Sequence, residues 1–206
     1  LWLIGTLVVA GLIIWLVLAA VDAAREDPDA TPAGSDAAAS QESSGNNDAG
    51  GDSHEIVGGI DFDPEADGGN DEENPDRVED AFDGDPETGW PTMRYHNHPE
   101  LGRLKPGVGL ILDLGEAKPV SQVDLLFEDP GASVEIRVPG DNEASSAPMD
   151  TEGDWDVVAE QEDADQEVSL TVEDDLETQF VMVYLTQLPE VEDARYLATI
   201  NEVSIS

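Results

Sequence analysis

Asp83, Asp85 and Thr88 stand at positions 0, +2 and +5 of the stretch AFDGDPETGW (81–90), which has to turn tightly at Gly84. Hard oxygens at this spacing suit calcium, which takes six to eight carboxylate, hydroxyl and carbonyl ligands from loops. The stretch is not an EF-hand, because the twelve-residue loop, its central glycine and its closing bidentate glutamate are missing. The same residues also read as an ordinary solvated acidic turn, and spacing alone leaves both readings open.

A second chemical signal lies in RYHNHPELGRLK (94–105). It gathers Arg94, Arg103 and Lys105, with His96, His98 and the aromatic Tyr95. These residues could form a binding rim, with the cations for carboxylate or phosphate and the tyrosine for stacking on a sugar ring. The alternative is a set of surface ion pairs, each contributing little. His96 and His98 alone make a poor transition-metal site, because only the distant His54 could add a third imidazole.

Composition narrows the partners. The chain has 48 Asp+Glu against 8 Lys+Arg, a formal charge of -40, and no cysteine. A field this negative repels nucleic acid and anionic lipid surfaces. Thiol chemistry and thiolate metal sites are ruled out. No P-loop, nucleophile elbow or metalloprotease helix occurs, so the expectation is a non-catalytic protein.

Three segments position these residues. Residues 1–21, LWLIGTLVVAGLIIWLVLAAV, carry no charge and are long enough to span about 30 Å of hydrocarbon as a helix. A transmembrane helix is expected there. The flank 22–60 has one basic residue, Arg25, which places residues 22–206 on the extracytoplasmic side. Residues 22–53 are rich in Ala, Asp, Ser and Gly and poor in large apolar side chains, and read as a disordered acidic linker. Residues 54–206 form one domain. Alternation in SVEIRV and EVSLTVE predicts half-buried strands, and QFVMVYL (179–185), apolar on both faces, predicts a central one. Further strands are expected at 56–60, 107–114, 120–128, 155–160 and 198–206, which makes an all-β antiparallel sandwich. One helix is expected after Asn74 as cap and Pro75 as first residue, with Val78, Ala81 and Phe82 on one face. Trp90 and Trp155 are expected in the core.

AFDGDPETGWPT resembles the Ala-x-Asp-Gly-x-x-x-Thr-x-Trp signature of discoidin-like (coagulation factor C-type, galactose-binding-like) domains. ENPDRVEDAFDG before it, GLILDLG (109–115), VSQV (120–123) and INEVSI (200–205) match further segments of that family in the same order. The resemblance implies an eight-stranded antiparallel jelly-roll sandwich over 54–206. The long acidic insert at 140–154 departs from it. It also implies a structural Ca2+ held by Asp83, Asp85, Thr88 and Glu202, with the Asp80 carbonyl as an extra ligand. The run from Glu73 to Gly115 is similar to the exported C-terminal domain of actinobacterial cell-wall membrane proteins, of the MviN-type lipid II flippase-like or kinase-like sort. This implies a tethered domain that binds a cell-envelope glycan or peptidoglycan-related ligand. The rival implication is a protein-interaction or structural accessory domain of the transporter, docking an envelope protein with no small ligand.

Overall fold

The computed structural model describes residues 53–141, 144–172 and 176–206. The expected membrane span 1–21 lies outside the described residues, as does the expected linker save for Ser53. Among the described residues no helix is long and apolar enough to cross a membrane.

Eight principal strands account for most of the fold: β1 (Gly58–Phe62), β4 (Val108–Pro119), β5 (Gln122–Phe127), β6 (Ala132–Pro139), β7 (Trp155–Ala164), β8 (Glu167–Thr171), β9 (Glu177–Gln187) and β12 (Thr199–Ile205). They match the eight expected from alternation. Four short strands escaped that reading: β2 (Trp90–Pro91), β3 (Tyr95–His96), β10 (Glu190–Glu192) and β11 (Arg195–Tyr196). All pairings are antiparallel, in sheets ordered β1-β4-β9-β6-β7, β2-β12-β5-β8 and β10-β11-β3.

β9 is the central strand of the larger sheet, with Val183 paired to Leu110 on one side and Ile136 on the other. Its apolar residues on both faces have separate destinations. Val181, Val183 and Leu185 face the four-stranded sheet, where they join Val123, Leu125, Leu170 and Ile200 in the main core. Phe180, Met182 and Tyr184 face outward into a second cluster with Phe62, Ile111 and Trp155. The insert that follows β6 covers this outer cluster. Ala147 packs on it, and the Trp155 indole donates to the Pro148 carbonyl at 3.1 Å. Ala147 and Pro148 thus pack the insert onto an apolar sheet face, which the resemblance gave no reason to expect. Trp90 and Trp155 are both buried, as anticipated.

The expected helix exists as a 3-10 helix, Pro75–Ala81, burying Val78 and Ala81. Asn74 does not cap it. Its backbone is left-handed (φ 60°), and its side-chain amide donates instead to the Pro91 carbonyl at 2.8 Å. A tertiary partner has displaced the local cap.

The chain ends of the domain lie together, His54 N–H donating to the Ile205 carbonyl at 2.7 Å. At the other end of the strands the loops interlock. Asn97 N–H donates to Ala194 (3.0 Å), Leu188 to Pro99 (3.0 Å) and Thr92 to Ala198 (2.8 Å). This end holds the 94–105 segment.

Candidate functional site

The acidic loop is built by its own hydrogen bonds. Gly84 has φ 81°, the left-handed turn expected of it. Asp83 Oδ1 accepts from the Asp85 amide at 2.8 Å, and Asp85 Oδ1 from the Glu87 amide at 3.0 Å. The Thr88 hydroxyl lies 3.1 and 3.0 Å from the two Asp83 oxygens and 2.8 Å from the Asp85 carbonyl. Gly89 then lets the chain lie on β12, since a Cβ there would stand 2.8 Å from the Ile200 carbonyl. That contact brings Glu202 to the loop. Its carboxylate lies by the Gly84 and Asp85 amides and faces the Asp83 and Asp85 charges. Burial, ahead of those charges, holds its pKa above the usual range, although the two amides pull it down.

The four residues named for calcium thus meet at one place. Glu202 Oε1 and Asn201 Oδ1 are buried without a hydrogen-bond partner, so two acceptors beside the loop lack a donor. Among the described residues no three His, Cys, Asp or Glu side chains form a metal-holding group.

The 94–105 segment splits. Tyr95 and Lys105 do not form part of an exposed rim. Tyr95 is 6% exposed, and its hydroxyl donates to Glu73 Oε2 at 2.9 Å. The Lys105 side chain is 6% exposed. Its ammonium pairs with Asp63, stands 3.4 Å from Glu73 Oε2 and lies 5.2 Å above the Tyr95 ring. Glu73 is fully buried and also accepts from the Met93 amide, while its own carbonyl takes the Trp90 indole N–H at 2.8 Å. Burial pushes the Glu73 carboxyl up, opposed by Lys105 and by its hydrogen bonds. Burial, with Glu73 beside it, pushes the Tyr95 phenol up as well. Sequence reading missed Glu73 and Asp63. The one available signal was that a chain with 48 acids keeps only two lysines, one of them Lys105.

Arg94, His96 and Arg103 remain exposed. His98 is half-buried, its Nδ1 being 3.6 Å from Glu100. His54 does not approach the other histidines' loop. Its Nε2 meets the Pro119 carbonyl at 2.7 Å, at the end of the domain where the termini lie.

Arg103 and Lys105 border an open groove of about 610 Å³. Glu100 and Leu104 complete that wall; Ser133, Glu135 and Thr186 make the floor, and Glu160 and Glu162 the far rim. The wall turns at Leu101 (φ 42°) and Arg103 (φ 62°), both left-handed and neither glycine. Such residues cost on the order of 1–3 kcal/mol each and persist where the surroundings fix them. Here the fully buried Leu101 and the Lys105 ion pairs hold either side, leaving Leu104 71% exposed.

No protein-family model matches the chain, and no curated protein matches it in sequence. Among solved structures it is similar to the CBM32 of AlyQ in complex with 4,5-unsaturated mannuronic acid, at 16% identity and TM-score 0.49, over 75% of this chain and 97% of that one. It is also similar to chitosan-binding module 2 of the chitosanase/glucanase from Paenibacillus sp. IK-5, at 21% identity and TM-score 0.49, over 72% and 94%. A third is a pectin-binding carbohydrate-binding module, at 15% and 0.46, over 74% and 91%. Likenesses at this level of identity do not place the chain in a family.

Proposed function

We propose that the described domain is a non-catalytic binding module that takes a glycan in the groove beside the Leu101–Leu104 turn. The groove carries this reading. Ser133, Thr186, Gln161 and Gln187 offer hydroxyls and amides that both donate and accept, as sugar hydroxyls require, and Leu104 and Pro106 offer apolar surface for ring C–H groups. A purely protein-docking domain would present a broad apolar face instead. Among the described residues the exposed large apolar side chains are Val57, Ile60, Met93, Leu104, Met149 and Val157, and of these Leu104 lines the groove. With the apolar run 1–21 and the acidic stretch after it, the module would be tethered outside a cell membrane, as part of a larger cell-wall protein. Its ligand would be an envelope glycan or peptidoglycan fragment.

The test is calorimetric titration of the 206-residue chain, in neutral detergent, with soluble peptidoglycan fragments and neutral oligosaccharides. Binding is expected, and Thr186→Trp, which fills the groove floor, should abolish it while leaving the melting temperature unchanged. Binding that survives Thr186→Trp places the ligand elsewhere.

The acidic loop would hold a structural Ca2+ through Asp83, Asp85, Thr88 and Glu202. The ion would tie residues 83–88 to β12 and neutralise carboxylates that otherwise face one another. It would take no part in binding sugar. Asp83→Ala with Asp85→Ala should lower the melting temperature in calcium but not in chelator; equal losses in both rule the ion out.

A further inference from the structure

We infer that the outward face of the small sheet β10-β11-β3 is an anion site. Arg94, His96 and Arg195 build it, and it takes a single carboxylate carried on an otherwise neutral sugar. The glycan reading supplies only the carrier; the site itself rests on register, exposure and charge.

Arg195 lies directly opposite His96, and Tyr196 opposite Tyr95. Residues directly opposed across an antiparallel pair share a face, with Cβ atoms about 4.5–5.5 Å apart. Tyr95 is buried, whereas Arg94, His96 and Arg195 are exposed. The alternation puts the tyrosines inward and His96 and Arg195 outward, and Arg94, just ahead of β3, is exposed as well. Arg94 stands two residues before His96.

Charge pairing makes this face unusual. Among the described residues Arg77, Arg103, Lys105, Arg137 and Arg195 each have a carboxylate within ion-pair reach, while Arg94 and Lys118 have none. In a chain of 48 acids, Arg94 is exposed with no carboxylate within ion-pair reach. The Arg94 guanidinium is free to take an anion, and Arg195 can join it where that anion displaces Glu192.

The face is also held in place. Arg195 follows a turn in which Ala194 has φ 52°, left-handed without being glycine. The Glu190 carboxylate accepts from the Ala194 amide at 2.8 Å, and the Ala194 carbonyl takes the Asn97 N–H at 3.0 Å. Those two bonds fix the turn and lock β11 against the start of the 97–103 loop. Glu192 pairs with Arg195 and competes with any incoming anion.

The rest of the surface decides the kind of anion. A polyanion would cross a field of formal charge -40 to reach two or three cations. One carboxylate on a neutral body gains the local attraction without that repulsion. The ligand class is therefore a sugar with one acidic group, and polyuronates are excluded.

The test compares methyl glucuronoside, methyl glucoside and polygalacturonate by calorimetry on the whole chain at fixed ionic strength. The glucuronoside should bind at least tenfold tighter than the glucoside, and the polymer should gain nothing per residue. Arg94→Gln and Arg195→Gln should bring the glucuronoside down to the glucoside's affinity without changing the glucoside. Glu192→Gln should strengthen the glucuronoside severalfold. Equal affinity for the two monosaccharides, or an unchanged glucuronoside in Arg94→Gln, overturns the proposal. If neither sugar binds, the glycan reading fails, and acetate titration then decides the anion site. Shifts of the Arg94 and Arg195 Nε–H resonances by acetate would support it on another carrier, and their absence would end it.

Discussion

The acidic loop 81–90 and the basic segment 94–105 are neighbours in the chain and met opposite fates. In the loop, residues that spacing grouped are grouped in space: Asp83, Asp85 and Thr88 bond within five residues of one another. In the segment, residues that composition grouped are separated. Arg94, His96 and Arg103 face solvent, while Tyr95 and Lys105 point into a buried cluster with Asp63 and Glu73. Local hydrogen-bonding patterns are encoded locally. The burial of a long cationic side chain is decided by partners elsewhere, here 42 and 32 residues away.

The sharpest way to break this contrast is Lys105→Met. If the ammonium is structural, its loss leaves Asp63 and Glu73 as uncompensated buried carboxylates. Removing one partner of a buried ion pair costs on the order of 3–5 kcal/mol. Urea unfolding should report a loss of that size. A loss below about 1 kcal/mol would show that Lys105 is a surface residue after all.

The loop offers a test whose sign changes with calcium. Glu202 has a folded pKa above its ordinary value, so the folded chain binds its proton more tightly than the unfolded chain does. Without metal, its contribution to stability is therefore largest at low pH and falls as pH rises from the unfolded pKa through the folded one. Glu202→Gln removes that penalty. In chelator at neutral pH the variant should melt higher than the parent, and the parent's loss of stability on raising pH from about 4 should shrink. In calcium the order should reverse, because a cation ligand has gone. A variant that melts lower in both conditions would leave the loop a plain acidic turn.

These two regions also measure how much was legible. The eight principal strands followed from alternation, and the central place of β9 from its apolar residues on both faces. Trp90 and Trp155 were placed by type alone. The 140–154 insert was not interpretable, because its Ala147 packs on a cluster with Met182 and Tyr184, which sit more than thirty residues after Ala147. The four short strands are two or three residues long, too short for periodicity to register. The groove was hidden for a related reason. Ser133, Thr186 and Glu160 carry no motif, and they come together only through the pairing of β6 with β7 and β9.

The smallest effect separates the two halves of the basic segment most finely. Arg103 lies two residues before Lys105 and looks equivalent to it in sequence. Its side chain is 68% exposed, and its contact is a 3.8 Å approach to Glu100, itself 59% exposed. Solvent screens such a pair, so Arg103→Ala should shift stability by no more than about 0.5 kcal/mol. The left-handed φ at this position makes alanine no worse a fit than arginine, since both carry a Cβ. Yet Arg103 borders the groove, and its loss should weaken oligosaccharide binding in calorimetry severalfold without altering the unfolding curve. If Arg103→Ala is as destabilising as Lys105→Met, burial does not divide the segment. If it alters neither stability nor binding, the groove wall recognises its ligand through Glu100 and Leu104 instead, and the cation at this position is solvation alone.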